Sequence, residues 1–179
     1  VMPPQPEGVY AFTQRKVNWV AADGPARYRR ALYTKFYRSA PYPLLTTFDS
    51  PDFQSVCTAR VRSNTPLQSL VLLNDEQFVE ASRSCAERII EEGGESETER
   101  ATFAFELATA RQPRDVELDS LIEVLHGALD RYRKDQQAAT ALIGTGESAR
   151  NEQLDVAEHA AWTVVANLIS NLDETLTRE

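Results

Sequence analysis

Residues 60–92 read RVRSNTPLQSLVLLNDEQFVEASRSCAERIIEE, and this stretch decides the fold class. Thr65 stands immediately before Pro66, with Gln68 three positions after it. That is the spacing of a capping box, in which a hydroxyl accepts from the backbone N–H of the third helical residue and that residue's side chain reaches back. The helix runs on through Leu67, Leu70, Val71, Leu72 and Leu73. Asn74 with Gln77 repeats the start signal, so a second, longer helix spans about Asp75 to Glu92 and stops at Gly93 and Gly94. On that helix Phe78, Ser82, Cys85, Ala86 and Ile89 fall within one arc at 100° per residue and are expected to face a core.

The same punctuation continues downstream. Ser96 with Glu99 opens a helix to about Ala110, in which Phe103, Phe105 and Leu107 spread widely enough for burial on more than one side. After Pro113 a helix from Asp115 to Lys134 aligns Leu118, Leu121, Ile122, Leu125, Ala128, Leu129 and Tyr132. A short helix over Gln137–Ile143 leads to the polar loop GTGESARNEQ, and the last helix runs from Asp155 into Leu172. That last helix is apolar over more than half its circumference, which places it in the middle of a bundle.

Residues before this region are of another kind. VYAF at 9–12 and KVNWV at 16–20 suit short strands, ARYRRALYTKFYRS at 26–39 fits either a helix or an extended run, and the prolines of APYPLLTTFDSPD imply a packed loop. Up to Pro66, nine Lys or Arg stand against four acids. Beyond it ten stand against twenty-three, so the net charge of −8 divides into +5 and −13. Ten of the fifteen aromatic residues precede position 54, which assigns them to the same basic layer. The expected architecture is mainly α: a bundle of five or six helices with an irregular N-terminal layer and a few short strands. The layer covers 1–64 and the acidic bundle 65–179. No apolar run approaches the roughly 20 residues of a membrane helix. The opening VMPPQPEGVY lacks the basic and apolar blocks of a signal peptide, and a start on Val1 reads as a cut from a longer chain.

Three blocks carry a family resemblance: RYRRALYTKFYRSAPYP, TTFDSPDFQSVCTARVRSNTPLQSLVLLNDEQFVEA and AAWTVVANLISNLDETLTRE. Together they resemble the C-terminal part of the planctomycete domain of unknown function 1553, over about Gly8 to Glu179. The resemblance implies an exported, multidomain parent in the periplasm or cell envelope. It also implies upstream domains as partners, a cytochrome-c-like haem domain among them. It supplies no catalytic residues.

Sites read from the residues themselves are few. Covalent haem needs Cys-x-x-Cys-His, whereas Cys57 and Cys85 are twenty-eight positions apart, so this stretch is expected to carry no cofactor of its own. In an exported protein the two cysteines could pair, or Cys85 could be a buried free thiol; sequence leaves both open. Glu123 and His126 match a bundle metal-ligand spacing, with Asp155 and His159 as a second contribution. On helical wheels Glu123 and His159 both fall on polar sides, so solvent exposure is expected and no metal. Gly144-Thr-Gly146-Glu-Ser-Ala149 fits the loose dinucleotide fingerprint but follows a helix instead of a strand, which leaves a loop with two glycines.

One constellation is chemically coherent. Trp19, Arg29, Arg30, Tyr33, Arg60 and Arg62, with Tyr28, Lys35, Tyr37, Arg38 and Asn64 around them, combine guanidinium forks with flat aromatic faces. Such a set suits an anionic polysaccharide. Nucleic acid would use the same parts, but the chain is net acidic and carries no recognised reading module. Alternatively the arginines pair with the acidic helices and dock the layer on the bundle. Buried pairs favour a noncatalytic module for assembly or substrate presentation. An open cleft with Trp19 or Tyr33, and a carboxylate such as Asp49 or Asp52, favours part of a polysaccharide-acting enzyme.

Overall fold

The computed structural model describes residues 1–5, 8–10, 18–38, 40–51, 56–59 and 63–177. Among these residues eight α-helices follow two 3-10 turns, Gly24–Tyr28 and Ala31–Tyr33. They are α1 (Pro43–Thr47), α2 (Pro66–Asn74), α3 (Glu76–Glu92), α4 (Glu97–Thr109), α5 (Asp115–Lys134), α6 (Gln136–Ile143), α7 (Val156–Ser170) and α8 (Asp173–Leu176). The fold is mainly α, and no strand occurs among the described residues. The strands expected at 9–12 and 16–20 are not found where the chain is described; residues 11–17 lie outside the described set.

Helix starts follow the capping chemistry of the sequence. Thr65 Oγ1 accepts from the Gln68 N–H at 3.3 Å, and Gln68 Oε1 accepts from the Thr65 N–H at 2.9 Å. The Gln68 amide then donates to the Thr47 carbonyl at 2.9 Å and to Ser63 Oγ at 2.8 Å, so one buried side chain also joins α1 to α2. Ser96 and Glu99 form the same box on α4, and Asp155 caps α7 through the Glu158 N–H. The start of α3 is one residue later than expected. Asp75 is its cap, accepting from the Gln77 N–H at 3.0 Å, while the Asn74 amide turns back to the Leu70 carbonyl at 2.8 Å and belongs to α2.

α7 occupies the middle of the bundle. Its Ala157, Ala160, Ala161, Trp162, Val165, Ala166 and Ile169 are buried against Ala86 and Ile89 of α3, Phe105 of α4, Leu121, Leu125 and Tyr132 of α5 and Ile143 of α6. The alanines let neighbouring backbones approach closely, and Trp162 fills the space between them. Truncating Trp162 to alanine would cost about 3–5 kcal/mol. On α3 the buried arc is Val79, Ser82, Ala86 and Ile89, with Glu80 and Arg83 buried beside it; Phe78 and Cys85 are only half-buried.

The N-terminal layer is ordered by backbone and aromatic contacts. Residues 1–4 run between two flanking segments: the Ala22 N–H donates to the Met2 carbonyl at 2.7 Å, the Lys35 N–H to Val1 at 2.8 Å and the Tyr42 hydroxyl to Pro4 at 3.0 Å. Trp19 stacks on Tyr42 with centroids 5.3 Å apart, and Tyr10 and Tyr37 close the cluster. Residues 26–38 are therefore neither one helix nor one extended run. They are short turns laid over an aromatic plug.

Candidate functional site

The layer meets the bundle at a buried polar clasp centred on Glu80, which is 1% exposed. The GTGES loop wraps its carboxylate: Glu80 Oε1 accepts from the backbone N–H of Glu147 at 2.9 Å, the N–H of Ser148 at 2.6 Å and the Tyr28 hydroxyl at 2.7 Å. Two successive amides aimed at one oxygen form an anion cradle. Here the anion is the chain's own side chain. Gly146, at φ +92°, brings the backbone so close that a Cβ would lie 2.2 Å from Glu80 Cδ.

Charge completes the clasp. Arg27, buried, pairs with Glu76, with Glu147 at 2.9 Å and with Glu80 Oε2 at 4.0 Å. The Gln77 amide donates to the Arg27 carbonyl at 2.8 Å, and the Gly24 N–H donates to Glu147 at 3.2 Å. On the other side Arg83 donates to the Ser148 carbonyl at 2.9 Å and to its hydroxyl. Burial pushes the Glu80 carboxyl up, but donation from the Ser148 N–H and hydroxyl, the Tyr28 hydroxyl and the Glu147 N–H outweighs it and holds the group below its ordinary range. Tyr28 is raised, chiefly because its hydroxyl donates to that carboxylate. Glu80 is thus a fixed anion whose work is structural.

Among the described residues of the layer, the arginine that pairs with the bundle is Arg27, which the sequence reading did not single out. Arg29 and Arg30 are exposed instead, and among the described residues neither makes an ion pair. Arg29 stacks over the Tyr33 ring at 4.3 Å. Trp19 is withdrawn into the aromatic cluster, its indole N–H donating to the Pro3 carbonyl at 2.7 Å. Arg60 and Arg62 lie outside the described residues, as does Asp52. Asp49 is exposed and accepts from the Ser63 hydroxyl, and Asn64 donates to Asp173 at 2.6 Å. The structure thus brings Arg29 and Tyr33 together, with Arg30 exposed next to Arg29 in sequence, and packs Trp19 against Tyr10, Tyr37 and Tyr42.

His159 corrects a second expectation. It is fully buried, with Nε2 3.3 Å from the Arg83 carbonyl and 3.6 Å from Glu87 Oε1, and its Nδ1 has no hydrogen-bond partner among the described residues. Burial, more than the opposing Glu87, pulls its pKa below the ordinary value. Glu123 and His126 are exposed, and His126 contacts Glu97 at 2.7 Å. Among the described residues no group of three or more His, Cys, Asp or Glu is arranged to hold a metal ion. Cys57 is exposed, Cys85 is half-buried, and both are free thiols.

A groove of about 530 Å³ lies between the layer and α2, lined by Val9, Tyr42, Leu44, Leu70, Val71 and, at a polar end, Asp75. Burial pushes the Asp75 carboxyl up against the pull of the Gln77 and Phe78 amides, and pushes the Tyr42 phenol up strongly. Leu67, Leu70 and Leu73 stand exposed along α2 at three-residue spacing, so the groove opens onto an apolar face.

Fold and site together define a helical-bundle domain carrying a basic layer clasped on through a buried carboxylate. The chain belongs to the DUF1553 family: the family model PSD1, described as a protein of unknown function, matches residues 1–125. The match takes in the N-terminal layer and α1 to α4 and ends within α5. No curated protein and no solved structure matches the chain.

Proposed function

We propose that this chain is a noncatalytic module of an exported, multidomain, haem-associated protein of the periplasm or cell envelope, serving assembly or substrate presentation. The observation that carries the reading is the α2 face, where Leu70 both lines the groove and stands exposed between Leu67 and Leu73. An uncovered apolar groove with a polar end suits an apolar segment of a neighbouring domain. The family resemblance supplies the neighbour, namely the domains upstream in the parent, a cytochrome-c-like domain among them. Calorimetric titration of this chain with the remainder of the parent tests the reading. Changing Leu67, Leu70 and Leu73 together to serine is expected to weaken association by tenfold or more, roughly 1.4 kcal/mol. Equal affinity of the variant, or no association at all, counts against it.

A second reading rests on the Arg29–Tyr33 stack beside the exposed Arg30, which makes no ion pair among the described residues. A stacked guanidinium and an open aromatic face suit an anionic glycan, which makes the chain part of a polysaccharide-acting enzyme completed by other domains. Binding to a panel of neutral and sulfated polysaccharides, with an Arg29→Ala/Arg30→Ala variant as control, separates the two. Saturable, salt-sensitive binding lost in the folded variant supports the glycan site.

A further inference from the structure

Residues 24–48 contain five cations and no acid. Arg27 is taken up by the clasp, but Arg29, Arg30, Lys35 and Arg38 are all exposed, and among the described residues none of the four makes an ion pair. In their midst the turn Ala31–Tyr33 presents Leu32, which is 77% exposed, with Tyr28 and Tyr33 on either side about half exposed. Leu32 is not among the described residues that form the bundle core or pack against it. Behind the turn, Arg27 and Tyr28 fasten the chain to Glu80 and Glu76, so the tip is held in place before anything binds it.

We propose that this tip is a docking element for an anionic lipid surface, with Leu32 entering the acyl boundary, Tyr33 at headgroup level, and Arg29, Arg30, Lys35 and Arg38 on the phosphates. An aliphatic side chain ringed by cations and aromatics gains from both parts of such a surface, the apolar boundary and the negative headgroups. A soluble polyanion uses the arginines and the Tyr33 face but gains nothing from Leu32. The acidic bundle does not forbid the approach. Charge is segregated along the chain, and at physiological ionic strength exposed charges more than about 8 Å from the surface are largely screened. No helix among the described residues is long and apolar enough to cross a membrane, so contact of this kind is peripheral.

Co-sedimentation of the whole chain with phosphatidylcholine vesicles, with and without phosphatidylglycerol, tests the proposal, with dextran sulfate as a polyanion lacking any apolar phase. Binding is expected to require the anionic lipid and to fall at high salt. It should weaken about fivefold for each of Arg29→Ala and Arg30→Ala, and about tenfold or more for Leu32→Ser. Val116→Ser, at an exposed bundle position, is expected to change nothing. Circular dichroism of each variant establishes that it is folded. No sedimentation with anionic vesicles overturns the proposal, as does equal sedimentation with phosphatidylcholine alone. Vesicle binding that survives Leu32→Ser while dextran sulfate competes assigns the patch to a polyanion instead.

Discussion

Replacing Gly146 by alanine tests the clasp more sharply than replacing any charged member of it. The added Cβ would lie 2.2 Å from Glu80 Cδ, 2.4 Å from Oε2 and 2.5 Å from Cγ. Ordinary carbon contacts are about 3.5–4.0 Å, so Glu80 or the loop must retreat by more than an ångström. Glu80 is buried and accepts two backbone amides and a phenol, so retreat breaks charge-assisted hydrogen bonds and strands a buried carboxylate, about 3–5 kcal/mol. Alanine at φ +92° adds backbone strain of about 1–3 kcal/mol. Gly8 provides the control: its φ is +84° and a Cβ there meets nothing within 4 Å, so Gly8→Ala carries the strain without the collision. Urea unfolding followed by helical circular dichroism should place Gly146→Ala about 3–5 kcal/mol below Gly8→Ala and so about 4–8 kcal/mol below wild type, and at roughly 2–4 °C per kcal/mol its melting temperature should fall about 8–32 °C below wild type. Adding Glu80→Ala to Gly146→Ala removes the collision partner, so the two changes should couple by more than about 1 kcal/mol. Equal destabilisation by Gly146→Ala and Gly8→Ala, or strictly additive effects, would refute the cradle.

Two further predictions follow from buried groups. His159 is depressed below its ordinary 6.5 by burial, with Glu87 opposing and Arg83 and Arg150 reinforcing the shift, so the folded chain binds fewer protons than the unfolded chain below that pH. Stability should therefore fall as pH drops from about 7 towards 5, by up to about 1.4 kcal/mol per pH unit, and His159→Gln should flatten this limb in pH-dependent urea unfolding. A second loss, from Glu80, belongs below its ordinary 4.5, where the carboxylate that accepts the loop amides becomes protonated; a limb unchanged by His159→Gln would contradict the assignment. In thiol labelling, exposed Cys57 should react with one equivalent of iodoacetamide in the folded chain. Cys85, half-buried and with its thiol pushed up by burial, should react only in urea, and two equivalents under native conditions would refute its placement.

Where local chemistry decides structure, the sequence was legible. A hydroxyl before a helix, answered three residues later, located the starts at Thr65 and Ser96, and one apolar arc described α5. What it could not show is how many neighbours surround an element. The polar side of α7, His159, Thr163 and Asn167 at four-residue spacing, reads as a solvent face. In the fold that stripe lies against α3 and the end of α2: His159 reaches the Arg83 carbonyl, Thr163 donates to His159, and Asn167 donates to the Leu72 carbonyl. A helix enclosed on every side buries its polar residues too, provided partners exist, and the wheel of that helix alone carries no sign of it.

The charge division along the chain shows the same boundary. A layer of +5 beside a bundle of −13 implies ion-paired docking, and such docking exists, but among the described residues of the layer one arginine performs it. Arg27, Arg29 and Arg30 are close neighbours of one chemical type, yet a single 3-10 turn sends the first inward to Glu76, Glu80 and Glu147 and leaves the other two outside. The contact that selects Arg27 is set by a loop more than a hundred residues later, whose two glycines resemble a phosphate cradle but whose Gly146 brings the Glu147 and Ser148 amides onto Glu80. Once that one buried site is filled, Arg29, Arg30, Lys35 and Arg38 make no ion pair among the described residues, and Arg29 and Lys35 lie over the rings of Tyr33 and Tyr37 instead. Their exposure around Leu32 and Tyr33 is what the proposed surface contact rests on, whereas Arg27 on the inner face holds the layer to the bundle.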